Sequence, residues 1–234
     1  MKNNTKNKKT LVDKVYDQIR KDIVMRKLLP NEKINMTELS KRYKVSETPV
    51  RLALNRLISE NLIEYYPQIG MRVKSLSVET AMDTFNLRLM MELYFIEDII
   101  QSFKINKSLA DKLQQNFKEH LAVAKSLTAG SSVEDYYKHY SYDKEFHELY
   151  IKGTGIPMLL ELYNYTNPFT FVNYVYDLQS HERIVAGVLE HKDIIDALLS
   201  SDEELLRKSI TKHIENSKSV INLLLRTTNI IQSQ

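Results

Sequence analysis

The sequence contains no cysteine, which excludes a disulfide framework, a thiolate metal site and a cysteine nucleophile. The default compartment is therefore the cytoplasm. Glycine and proline are scarce, five of each in 234 residues, as expected of a helical chain. No apolar run is long enough to span a bilayer, and the polar, Asn/Lys-rich residues 1–9 have no apolar segment behind them, so neither a membrane helix nor a signal peptide is expected. Residues 1–9 read as a flexible basic arm. What is present is globular composition: 43% hydrophobic and 27% charged residues suffice to build a core, and the length favours two domains.

The formal net charge of +3 conceals an asymmetry. Residues 1–75 carry 17 basic against 8 acidic side chains, whereas the rest of the chain carries 16 against 22. A basic first third joined to an acidic remainder places a polyanion-binding surface near the N-terminus. Charge alone fits DNA, RNA or anionic lipid.

The pattern narrows that choice. Thr10 and Asp13 have capping-box spacing, and Leu11, Val15, Ile19 and Ile23 recur at helical intervals up to about residue 25. After a break at Pro30 and Asn31, Thr37 is the expected cap of a short helix over 38–43. A tight turn at Lys44-Val45-Ser46 leads into a second helix, with Ser46 as its cap, Pro49 in the first turn and an apolar stripe of Val50, Leu54, Leu57 and Ile58 ending near Asn61. Ile63-Glu64-Tyr65-Tyr66, a Pro67-Gln68-Ile69-Gly70 turn and Met71-Arg72-Val73 then read as a hairpin. Helix, helix-turn-helix and hairpin make a winged helix-turn-helix over residues 1–75. Beyond a short linker at 74–77 the pattern is helical, with helices expected near 78–104, 108–127, 132–151, 157–166, 169–178, 181–200 and 202–227. The fold class is mainly α: a winged helix-turn-helix followed by an all-α helical bundle over 78–234.

In a helix-turn-helix the second helix enters the major groove by its N-terminal end. Here that end is Ser46-Glu47-Thr48-Pro49-Val50-Arg51. Arg51 can grip guanine bidentately, Ser46 and Thr48 can bond phosphate, and Arg72 and Lys74 on the wing can reach the flanking backbone. Val15-Tyr16-Asp17-Gln18-Ile19-Arg20, Glu38-Leu39-Ser40, the run from Val45 through Arg56-Leu57, and Gly70-Met71-Arg72-Val73 together resemble the reading head of GntR-family regulators. The resemblance implies DNA contacts from the set Thr37, Ser46, Glu47, Thr48, Arg51, Arg56, Gly70 and Arg72. At Glu47 the family usually carries arginine. A carboxylate there repels phosphate or accepts from a cytosine amino group.

In the second half, Asp143 and His147 lie one helical turn apart, while His191 and His213 fall on the apolar faces of two further helices. From spacing alone, these residues fit either a divalent-metal site or hydrogen-bonded core histidines. His139 lies on nearly the face of Asp143. His120 and His181 have no matching partner and are expected at the surface. Asp143-Lys144-Glu145-Phe146-His147, Glu190-His191 with Ile194-Ile195-Asp196-Ala197-Leu198, Asp202 and His213-Ile214 resemble the effector-binding FCD domain of the FadR-type GntR subfamily. The resemblance implies that Asp143, His147, His191 and His213 bind a divalent metal of the Zn, Ni, Mn or Fe type. It also places Arg88 and Glu92 on the first helix of that domain, as an i,i+4 ion pair or with Arg88 holding an effector carboxylate. Tyr136, Tyr140, Tyr163 and Tyr165 are candidate pocket residues, with core packing the simpler role. The expected function is a non-enzymatic, homodimeric regulator of double-stranded operator DNA, controlled by a small carboxylate effector. Direct metal sensing and metal-dependent hydrolysis are the alternatives, and hydrolysis leaves the reading head unexplained.

Glu47 supplies a direct test. Glu47→Arg replaces a phosphate-repelling group with a phosphate partner, so it should raise general DNA affinity and steepen the salt dependence in an anisotropy titration. An unchanged slope would place Glu47 away from the DNA backbone.

Overall fold

Thr10 opens the first helix. Its hydroxyl accepts from Asp13 N while the Asp13 carboxylate accepts from Thr10 N, a reciprocal capping box that starts α1 at Leu11–Val24. The computed structural model describes residues 10–25, 27–60, 62–74, 77–166, 175 and 178–227. The basic arm at 1–9, the helix end expected at residue 61 and most of the helix expected at 169–178 lie outside the described residues. The chain divides into two compact units, 1–75 and 76–232.

In the first unit, α1 buries Val15, Ile19 and Ile23 against α3 at Glu47–Ser59, which contributes Val50, Ala53, Leu54 and Leu57. α2, Met36–Tyr43, is capped by Asn35 and not by Thr37: the Asn35 amide oxygen accepts from Glu38 N at 3.2 Å. Thr37 lies inside the helix, and its hydroxyl donates instead to Glu47 across the turn at 2.8 Å. The turn itself is made by Lys44 in the left-handed region, φ 55°. Buried Asp22 of α1 accepts from the Tyr43 hydroxyl at 2.7 Å, which ties the first two helices together. β1, Ile63–Tyr66, and β2, Gly70–Val73, pair antiparallel with Tyr66 opposite Gly70. Gly70 closes the wing at φ 103°, where a side chain would be strained. Residues 31–34 run along the other edge of β2, through Ile34 N to Met71 O and Val73 N to Glu32 O. This is a winged helix-turn-helix.

The second unit is helical throughout its described residues: α4 Val78–Tyr94, α5 Ile96–Ile105, α6 Lys107–Ser126, α7 Val133–Lys152, α8 Pro157–Thr166, α9 His181–Ser200 and α10 Glu203–Thr227. One long helix is expected over 78–104, and the structure breaks it at Phe95, φ −101° and ψ 25°. The buried stripe of Glu92, Ile96, Ile99 and Phe103 runs straight through that break, so hydrophobic periodicity does not mark it. α6 packs on α7 and α9, and α10 packs on α4 and α9. Five of these helices, α4, α6, α7, α9 and α10, turn charged or imidazole side chains into the shared interior.

Candidate metal centre

Asp143, His147, His191 and His213 each offer one ligand atom, and these atoms lie within 4.8 Å of one another. Local structure explains how they meet. α7 starts in a capping box between Ser132 and Asp135, and its i,i+4 periodicity then aims Asp143 and His147 at one interior. α9 and α10 form an antiparallel hairpin around Ser201, which is left-handed at φ 59°, and Asp202, which accepts from Leu205 N at 2.9 Å. His191 precedes that turn by about the same number of residues as His213 follows it. At about 1.5 Å of rise per residue the two rings come level across the hairpin.

The hydrogen bonds set the tautomers. His147 Nδ1 lies 3.0 Å from Glu92 Oε2, and His213 Nδ1 lies 2.9 Å from Glu190 Oε2. An ionised carboxylate only accepts, so both Nδ1 atoms donate, and in a neutral imidazole this leaves the lone pair on Nε2, which faces the centre. His191 Nε2 faces His213 Nε2 and Asp143 Oδ1, each at 3.3 Å. His191 Nδ1 is buried and has no partner, and its ring stacks on Phe146 with centroids 3.8 Å apart. Three imidazole nitrogens and one carboxylate oxygen, with two of the rings oriented by carboxylates, fit a borderline divalent metal.

Both orienting carboxylates are anchored. Glu92, 1% exposed, also accepts from Arg88 Nε at 2.8 Å and from the Tyr163 hydroxyl at 2.7 Å. Glu190 accepts from both Nη atoms of Arg183, at 2.8 and 3.1 Å, and from Asn216 at 2.8 Å. Burial pushes the Glu92 carboxyl up, but His147 and Arg88 outweigh it and hold it well below the usual range. Glu190 is held at about 2, its burial outweighed by the bonds from His213 and Arg183. Asp143 is also lowered, because His147 and Arg88 outweigh burial. Sequence reasoning assigned no role to Glu190 or Arg183. Glu190 cannot reach His191 beside it, and instead serves His213 on the neighbouring helix.

The other predicted residues separate into groups. The expected Arg88–Glu92 ion pair is present, and Arg88 lines a small cavity of about 50 Å³ together with His139, Tyr140, Asp143, Arg183 and His213. Of the four candidate tyrosines, Tyr136 is buried away from that cavity's lining, Tyr140 lines it, Tyr163 holds Glu92, and Tyr165 is exposed. His181 is exposed, as expected, but His120 is fully buried and lies 2.9 Å from His139 Nδ1. The surface expectation for His120 fails because it sits on the buried stripe of α6, Leu113, Asn116, His120 and Ala124, whose two polar members disguise it.

Residues 11–73 match the sequence profile of bacterial regulatory proteins of the gntR family, and residues 83–216 match the FCD domain. The chain belongs to the GntR family of transcriptional regulators, with the FadR-type architecture. It is 24% identical over 223 residues to the HTH-type transcriptional regulator BphR of Paraburkholderia xenovorans, covering 92% of this chain and 86% of that one. It is 25% identical over 210 residues to the HTH-type transcriptional repressor RspR of Escherichia coli, covering 88% and 87%. Among solved structures, E. coli McbR/YncC shares the fold, with a TM-score of 0.69 at 16% identity over 92% of this chain and 98% of that one.

In this GntR regulator the first turn of α3 presents Ser46, Glu47, Thr48 and Arg51 as exposed side chains. Ser46 makes no side-chain cap bond. Arg56 instead faces α1, where it pairs with Asp13 at 2.7 Å and lies 4.2 Å over the Tyr16 ring, a brace between helices. On the wing, Arg72 donates to Asn31 O at 3.1 Å. Among the described residues no helix is long and apolar enough to cross a membrane.

Burial, reinforced by His139 as a neighbour, depresses His120 to about 3, and burial depresses His139 to about 4; both are neutral in the folded protein at pH 7. The unfolded chain takes up these protons near the ordinary histidine value of about 6.5, so the unfolded state binds more protons below it and stability falls with falling pH. In chelator, denaturant unfolding should show stability lost between about pH 6.5 and 4, by up to about 1.4 kcal/mol per pH unit for each histidine. His120→Gln should flatten the slope. A wild-type profile flat from pH 7.5 to 5 would contradict the assignment.

Proposed function

We propose that this regulator binds operator DNA as a cytoplasmic homodimer and that a small organic acid, held at a metal-containing site in the helical domain, controls its operator affinity. The observation that carries the reading is the convergence of four ligand atoms within 4.8 Å, with His147 and His213 each aimed by a buried glutamate. Asp143, His147, His191 and His213 would hold a divalent metal such as Zn, Ni, Mn or Fe, which supplies Lewis acidity and positive charge when bound.

Charge supports an anion as the signal. With neutral imidazoles, the carboxylates of half-buried Asp143 and buried Glu92 face one guanidinium, that of Arg88, while Arg183 balances Glu190. A divalent ion converts that deficit into about one surplus positive charge, which an anionic ligand neutralises. Arg88 and Arg183 both line the cavity beside the candidate ligands, where their positive charge favours an entering carboxylate. The cavity's size, about 50 Å³, favours a small acid.

In the first unit, Ser46, Thr48 and Arg51 at the N-terminal end of α3 would meet the major groove, with Thr37, Glu47, Arg56, Gly70 and Arg72 around it. A homodimer presents two reading heads to a near-palindromic operator. Leu87, Met90 and Tyr94 are exposed along one face of α4 and offer an apolar surface for a second copy.

His191→Ala should lose the metal and the response to a small-acid panel while operator binding persists at least in part, because the reading head is a separate unit. Chelation should lower the melting temperature of the wild type, since it removes a ligand selective for the folded state. Full metal content in a triple His147, His191 and His213 alanine variant, measured by elemental analysis, would refute the site.

A further inference from the structure

The second contact of Arg88 is not accounted for by the ion pair with Glu92. Its Nη2 meets His147 Nε2, in a buried environment where Arg88 is 2% exposed. Because His147 Nδ1 faces the ionised Glu92, the lone pair of His147 is on Nε2, and a guanidinium has only donors to offer it. The lone pair engaged by Arg88 is therefore the one His147 would use to ligate a metal. One lone pair serves one partner, and a guanidinium at that nitrogen also repels a divalent cation.

We propose that Arg88 is an internal competitor for the centre: in the metal-free protein it takes His147 Nε2, and it must leave that nitrogen before all four ligands can act together. This rests on the metal-binding reading above. The competition has an electrostatic rationale. Half-buried Asp143 and buried Glu92 need positive charge nearby, and Arg88 supplies it until a divalent ion does. It also has a destination, because Arg88 lines the cavity next to Asp143 and Arg183. Once off His147, its Nη groups face an anion entering that cavity, while Nε retains Glu92 as an anchor. Metal and anion are then coupled through one side chain: the metal makes Arg88 available to the anion, and by linkage the anion, by holding Arg88, tightens the metal.

The test uses the full chain, stripped of metal, with Zn2+ affinity measured by competition against a chromophoric chelator at pH 7.5. Arg88→Gln should tighten Zn2+ binding by about tenfold, the scale of one charged hydrogen bond removed from competition. In a His147→Ala background the same substitution should change Zn2+ affinity little, because the contested lone pair is gone. The wild type gives a readout free of any folding defect: the Arg88 Nη resonances, assigned by their loss in Arg88→Gln, should shift on Zn2+ addition. Tightening that persists undiminished with His147→Ala would overturn the proposal, since general charge repulsion would explain it. Unchanged or weaker binding by Arg88→Gln, with Nη resonances that do not move, would overturn it while leaving the metal site standing. Absence of Zn2+ binding by the wild type would remove the metal reading, and the proposal with it.

Discussion

Two buried glutamates organise the helical domain. Glu92 on α4 and Glu190 on α9 each accept a proton from the Nδ1 of an imidazole on a different helix, His147 on α7 and His213 on α10. Each bond fixes a ring's tautomer and direction, so two lone pairs point at one place before any ligand arrives. A buried carboxylate persists only if it is fully partnered, and here the partners come from across the bundle: Arg88, Tyr163 and His147 for one, Arg183, Asn216 and His213 for the other. The same bonds that join the helices therefore aim the candidate ligands. Loss of either glutamate would act on the fold and on the centre together.

The two arginines have different positions within this arrangement. Arg183 reaches seven residues along α9 to its glutamate, passing over Gly187, where a β-carbon would come 3.5 Å from the guanidinium. It keeps about a fifth of its side chain exposed at the cavity. Arg88 is enclosed and touches the candidate ligand His147 directly. Arg183 thus balances Glu190 from outside the centre, and Arg88 balances Glu92 from within. Both guanidinium groups line the cavity, and each is joined to the candidate ligands by its own hydrogen-bond path.

What the sequence disclosed follows from what is local. The Asp143–His147 pair is legible because i,i+4 spacing is a property of one helix, and the reading head is legible because its caps, turn and wing occur in order. His191 and His213 were placed inward by their apolar neighbours, although their common level depends on the turn at Ser201 and Asp202. The glutamate orienters were beyond reach, since each acts on a residue more than twenty positions away. His120 marks the same limit. A histidine on a stripe that includes asparagine reads as polar surface. Asn35 capping α2 in place of Thr37 is a smaller shift, decided by which side chain reaches Glu38 N.

The central claim is that three imidazoles and one carboxylate share a single divalent ion. X-ray absorption spectroscopy of the full chain loaded with one equivalent of Zn2+ tests it most directly, because imidazole rings give a distinctive outer-shell scattering pattern. Three imidazoles per zinc with oxygen completing the shell, and loss of that pattern in His191→Ala, is the predicted result. A zinc bound by one imidazole or none, or a spectrum that His191→Ala does not alter, would contradict the account.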